Sequence, residues 1–246
     1  MAADNQTKSI AVKKPNKGFF YWGLGMFLVA LLGFWPSYFS PVIHATFNSP
    51  VSLIHWHASF TFLWLLLLVI QPLLIHQKQI AYHQILGTLG VIIAIAVIYT
   101  GFMLQAQFMH HYFSLNELVH AVKVPFFRLV TLLIFTVCFL LSMLIKDRSW
   151  HKRLVFLASF AILEAAFARV FLNYMDVLEL PGLLGALTHI GIMVYFVLWD
   201  RIELGRFHVV TLWGSIIITL LIFGTAPIAE TQWWFEMAKK IAALTT

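Results

Sequence analysis

From Ser52 to Ile75 the chain runs for 24 residues without an Asp, Glu, Lys or Arg. At ~1.5 Å rise per residue such a run reaches ~36 Å as a helix, enough to cross a bilayer. It is not uniformly apolar. His57, Trp64 and Gln71 recur every seven residues and so fall on nearly one helical face. A span with a polar stripe turns that stripe toward other protein, not toward lipid.

The remaining sequence repeats the theme. The spacing predicts further spans over 19–39, 83–105, 125–145, 153–172, 181–199 and 208–224, making seven. With 61% hydrophobic residues and only 11% charged, the chain is far more apolar than a soluble domain needs to be. The expected fold is therefore all-α: a polytopic seven-transmembrane-helix bundle over 18–225, with a disordered tail at 1–17 and a polar C-terminal segment at 226–246. A cleaved leader fits poorly, because the first apolar run is too long and Ile43-His44-Ala45 is a weak cleavage sequence.

A net charge of +6 often points to nucleic acid, but here the basic residues gather in short segments between apolar runs. They read as topology signals, and nucleic-acid binding is excluded as a function class. Lys8, Lys13, Lys14, Lys17, Lys78, Lys146, Arg148, Lys152, Arg153, Arg201 and Arg206 fall on one set of connections. The other set holds Lys123 with Glu117, Asp176 and Glu179. This alternation predicts a cytoplasmic N-terminus and an external C-terminus in a bacterial inner membrane. Trp233, Trp234 and Phe235 beside Lys239 and Lys240 suit an interfacial amphipathic helix outside.

Eleven histidines make the chain histidine-rich, and its single cysteine, Cys138, rules out an intramolecular disulfide, a cysteine zinc site and a CxxCH haem attachment. Two polar layers follow from the topology. The cytoplasmic layer holds His83, His151 and His208 at the starts of three helices, with Gln71 and Asp200. The outer layer holds His55, His57, His110, His111, His120, Lys123, Arg128 and Arg169, with Glu164 nearer mid-membrane. His189 is expected near the bilayer centre. Isolated histidines at helix ends, such as His44, His76, His110 and His111, commonly cap backbone or sit among headgroups. Three independent helix starts carrying histidine are a stronger signal. A guanidinium inside an apolar helix, as at Arg169, needs a partner or water.

The order of motifs resembles a family of uncharacterised bacterial seven-helix inner-membrane proteins. The resemblance rests on His55-x-His57, Trp64, Gln71 and His83-x-x-x-Gly87. Phe34-Trp-Pro-Ser-Tyr-Phe39, Val124-Pro125, His151-Lys-Arg-Leu154, Ala168-Arg169, Trp199-Asp200 and Gly205-Arg-x-His208 complete it. It implies that His57, Gln71, His83, His151, Arg169, Asp200 and His208 are pattern positions. The chain departs from the family at Ala58, where glycine is expected, and at Gln84, where arginine is usual. The His83-x-x-x-Gly87 helix start is also similar to haem-binding cytochrome b561-like bundles.

Three function classes follow. The first is a membrane redox protein holding haem b or a transition metal through His83, His151 and His208, with Gln71 as a further cofactor contact and Asp200 as a further metal ligand. The second is an intramembrane metal-dependent hydrolase or hydroxylase using the same three histidines, although no His-x-x-x-His repeat occurs. The third is non-enzymatic: a transporter, or an accessory or assembly subunit of a respiratory complex. Arg169, His57 and Glu164 make a second polar site, suited to a quinone or a lipid carboxylate. Beyond the lipid bilayer, expected partners are a quinone or a respiratory-complex subunit.

Overall fold

A computed structural model of the protein describes residues 17–175 and 181–245. The tail at 1–16 and the acidic connection holding Asp176 and Glu179 lie outside the described residues. Seven helices are long and apolar enough to cross a membrane. We number them α1 (Gly18–Ile43), α2 (Leu53–His76), α3 (Ile80–Ser114), α4 (Val119–Leu144), α5 (Arg148–Tyr174), α6 (Pro181–Leu204) and α7 (Val209–Gly224). The short α8 (Gln232–Ala242) follows. Among the described residues all regular structure is helical. The protein is a multi-pass membrane protein by the length and composition of these spans.

Helix α5 is the axis of the bundle. In its most apolar window 56% of residues are buried, against 22% to 39% in the other spans, and it packs against α1, α4, α6 and α7. Its N-terminus is set by Asp147, whose carboxylate accepts from the N–H groups of Ser149 and Trp150. Those two backbone bonds, led by Trp150, hold the Asp147 carboxyl below the usual carboxylate range. Trp64 of α2 joins α5 in the core, its indole N–H donating to Ser159 Oγ at 3.0 Å while Phe135 and Phe139 meet its ring edge-on.

Helix α1 lies against α2 and α5 with backbone touching backbone. A Cβ built on Gly33 would come 2.5 Å from the Ala166 carbonyl oxygen, so only glycine permits this approach. Three residues on, Pro36 has no N–H to give the Leu32 carbonyl, and the helix takes a π-helical turn over Trp35–Phe39. The end of α5 meets the displaced groups: Asn173 Nδ2 donates to Gly33 O at 2.9 Å, and Tyr174 Oη to Leu32 O at 3.2 Å. A second π-helical turn, Val119–Lys123, precedes Pro125 at the start of α4.

The elements differ from expectation in length. The spacing ended the third span near 105, but α3 runs 35 residues to Ser114, about 52 Å at helical rise. Its extension is stable because α8 and the start of α4 cover it, leaving Ala106 and Met109 fully buried. The C-terminal helix forms within the expected segment, but Trp234 turns into the protein, donating from Nε1 to Val122 O at 3.0 Å, while Trp233 stays 62% exposed. Lys123 and Glu230 pair at 2.7 Å beside it.

Candidate functional site

Polar side chains gather at the two ends of the bundle, as the alternation of helix direction requires. At the end where α5 begins, they form two separate groups, not one. In the first, the Gln71 amide reaches from α2 to the opening turn of α3. With its NH2 toward His83 it donates to the His83 carbonyl at 3.2 Å and to His83 Nδ1, and its oxygen accepts from the Gly87 N–H at 3.0 Å. The reverse orientation would set oxygen against oxygen and N–H against N–H. The His83-x-x-x-Gly87 spacing therefore serves as a lock: carbonyl and N–H four residues apart are bridged by one amide. A neutral His83 receiving a hydrogen at Nδ1 carries its own on Nε2 and presents a donor there, not a lone pair. His151 lies close enough to act on it electrostatically, and its Nδ1 donates to Ser142 O at 2.9 Å.

The second group is a buried ion pair. Asp200 and Arg153 are each 1% exposed. Arg153 Nε donates to Asp200 Oδ2 at 2.8 Å and its Nη2 to Oδ1, while Thr211 Oγ1 donates to Oδ2 at 2.7 Å. Arg153 Nη1 also reaches the backbone oxygen and the hydroxyl of Ser149, at 2.9 and 2.6 Å. The same hydroxyl meets His208 Nε2 at 3.1 Å, and His208 Nδ1 caps α7 by accepting from Val210 N–H at 3.3 Å. Burial and the neighbouring Arg153 cation hold His208 below the usual imidazole range, in the neutral form the cap needs.

The structure thus places His83 with Gln71 and near His151, and His208 with Asp200. Both carboxylate oxygens of Asp200 and both ring nitrogens of His208 already have partners. Among the described residues no group of three or more His, Cys, Asp or Glu side chains is arranged to hold a metal ion. Arg153, legible in the sequence only as a topology charge, is the partner of Asp200.

At the opposite end, α1 to α5 enclose a cavity of about 360 Å3. Of the three residues expected to make a second polar site, His57 and Arg169 line it and Glu164 does not; Arg128, Gln105, Thr61 and His120 join them within a mostly apolar wall. The two π-helical turns flank it, supplying Ser37 and Tyr38 from α1 and His120 from α4. Arg169 Nη1 donates to Ala165 O at 3.1 Å, and its guanidinium lies 4.5 Å from the centroid of the Phe34 ring. The Arg128 side chain makes no hydrogen bond to another described residue. Glu164 is the single described carboxylate that acts electrostatically on both arginines. Two guanidiniums therefore share one carboxylate, and both are half-buried and line the cavity.

The neutral groups are equally specific. Thr100 Oγ1 donates to Ala96 O at 2.6 Å, so it accepts from His57 Nδ1 at 3.1 Å, which leaves the lone pair of a neutral ring on Nε2. Gln105 is 5% exposed, and its Oε1, like Thr61 Oγ1, is buried without a partner. The sequence sets Arg128 in the outer layer but outside the second polar site; it is the one charge in Val124–Leu144, which is the signal that identifies it. Gln105 and Thr61 had no such signal. Elsewhere, His189 is 1% exposed between the Phe167 and Phe223 rings, with neither nitrogen partnered. His44 bonds its own helix through Ser40 O at 2.8 Å.

No protein-family model, curated protein or solved structure matches the chain.

Proposed function

We propose that the protein is a membrane-embedded binder of an anionic amphiphile, acting as a carrier or accessory subunit, with the ligand's head between Arg128 and Arg169. One observation carries this reading: an apolar cavity of about 360 Å3 is lined by two guanidiniums, and the one described carboxylate that acts electrostatically on both, Glu164, lies outside its lining. The excess of one positive charge in such surroundings is costly unless a counter-charge enters, and a monoanion supplies it. The volume falls in the ordinary range of ligand pockets, ~300–1,000 Å3. The lining has the composition expected there, apolar and aromatic walls with a few convergent polar groups. The basic connections on the opposite side support a cavity that faces the outer leaflet of a bacterial inner membrane.

A redox or hydrolytic role for His83, His151 and His208 has less support, because His208 and Asp200 are engaged in structural bonds and the Gln71 lock presents a donor at His83 Nε2.

The test is native mass spectrometry of the full chain released from mild detergent. The expected result is a monoanionic lipid or acid retained by the wild type and reduced about tenfold to a hundredfold in R169Q. That range corresponds to the ~1.5–3 kcal/mol of a charge-assisted hydrogen bond. Equal occupancy in wild type and R169Q, or retention of neutral lipids and quinones alone, would overturn the reading.

A further inference from the structure

The charges account for an anion but leave two acceptors in the same cavity unexplained. Gln105 Oε1 is buried and has no partner, and His57 Nε2 is left as a lone pair by the Thr100 bond. A simple carboxylate or an alkyl phosphodiester offers only acceptors, so beside it both groups would stay unmet. A buried acceptor without a donor is a penalty that a matching ligand removes.

We propose that the ligand's head carries a hydroxyl next to its single negative charge, as a glycerol phosphodiester does. The anionic oxygens accept from Arg128 and Arg169, and the hydroxyl donates to Gln105 Oε1 or His57 Nε2. Thr61, whose hydroxyl also lacks a partner and lines the cavity, can give its hydrogen to the ligand and accept one in return. This inference rests on the anionic-amphiphile reading and narrows it to a chemical class. Discrimination of this kind is what a site built of buried hydrogen-bonding groups does well, since the analogue lacking the hydroxyl leaves those groups unpaired.

The experiment is a titration of the detergent-purified full chain with two lipids of equal charge and equal chains, dioleoylphosphatidylglycerol and dioleoylphosphatidylpropanol, which differ only in the hydroxyls of the head. We expect about tenfold tighter binding of the glycerol lipid, with the ratio falling toward one in Q105L. Glycerophosphoglycerol, the same head without chains, separates the sources. Competition only at far higher concentration assigns the site to a lipid, and competition at equal concentration assigns the same chemistry to a free phosphodiester. Equal binding of the two lipids to the wild type, both weakened by R169Q, would overturn the hydroxyl inference and leave the anion site standing. No binding of either lipid, unchanged by R169Q, would overturn both.

Discussion

At the scale of single residues, the same side-chain types do opposite work at the two ends of the bundle. Every nitrogen of the Arg153 guanidinium is bonded, by two bonds to Asp200 and two to Ser149. Those of Arg128 and Arg169 are not all bonded among the described residues. A closed network of that kind is structural, and its members respond to mutation accordingly. D200N leaves a buried guanidinium without a counter-charge, which costs on the order of 3–5 kcal/mol. We expect the apparent melting temperature in detergent, read by fluorescence-detected size exclusion, to fall by on the order of 10 °C. The double change R153M/D200L, which removes both charges together, should restore most of that loss. A D200N protein melting with the wild type would contradict the role assigned to the pair.

Among the elements, α1 shows how backbone approach shapes the cavity. Gly33 admits the Ala166 carbonyl, Pro36 opens the helix, and Asn173 and Tyr174 receive the freed carbonyls; the result places Phe34 over Arg169. Alanine is ordinarily ~0.5–1 kcal/mol better than glycine inside a helix. At Gly25, where an added Cβ meets nothing within 4 Å, that preference should show as a neutral or slightly raised melting temperature. At Gly33 the same substitution drives a Cβ into the Ala166 carbonyl. G33A should therefore melt lower and lose ligand together with the Phe34–Arg169 contact. Parallel melts of G25A and G33A check this, and equal behaviour would remove the close approach as the cause.

For the whole molecule, orientation in the membrane decides which side of the bilayer the cavity serves. The basic connections predict that Lys146 faces the cytoplasm and Glu117 the outside. Both side chains are exposed in their loops. In a background where Cys138 is replaced by serine, a cysteine at Glu117 should react with a membrane-impermeant maleimide on intact cells. One at Lys146 should react only after permeabilisation. The reverse pattern would invert the bundle and turn the cavity toward the cytoplasm.

Seven spans, their alternating direction and the two polar layers were legible in the sequence because each depends on a local quantity: the length of an apolar run, or the charge of a connection. The heptad of His57, Trp64 and Gln71 was legible too, and all three side chains do meet other helices. Which polar residues meet was not, since that depends on how each helix is rotated and which neighbours it finds. In a soluble helix an amphipathic pattern marks the inward face, but lipid is as apolar as the core, so these spans carry little such pattern. Only the tertiary structure could separate His208 from His83, give Asp200 to Arg153, and bring Arg128, Gln105 and Thr61 into one cavity with His57 and Arg169. The sequence determined where the helices cross and what they carry; their packing decided which of those groups are satisfied and which still await a partner.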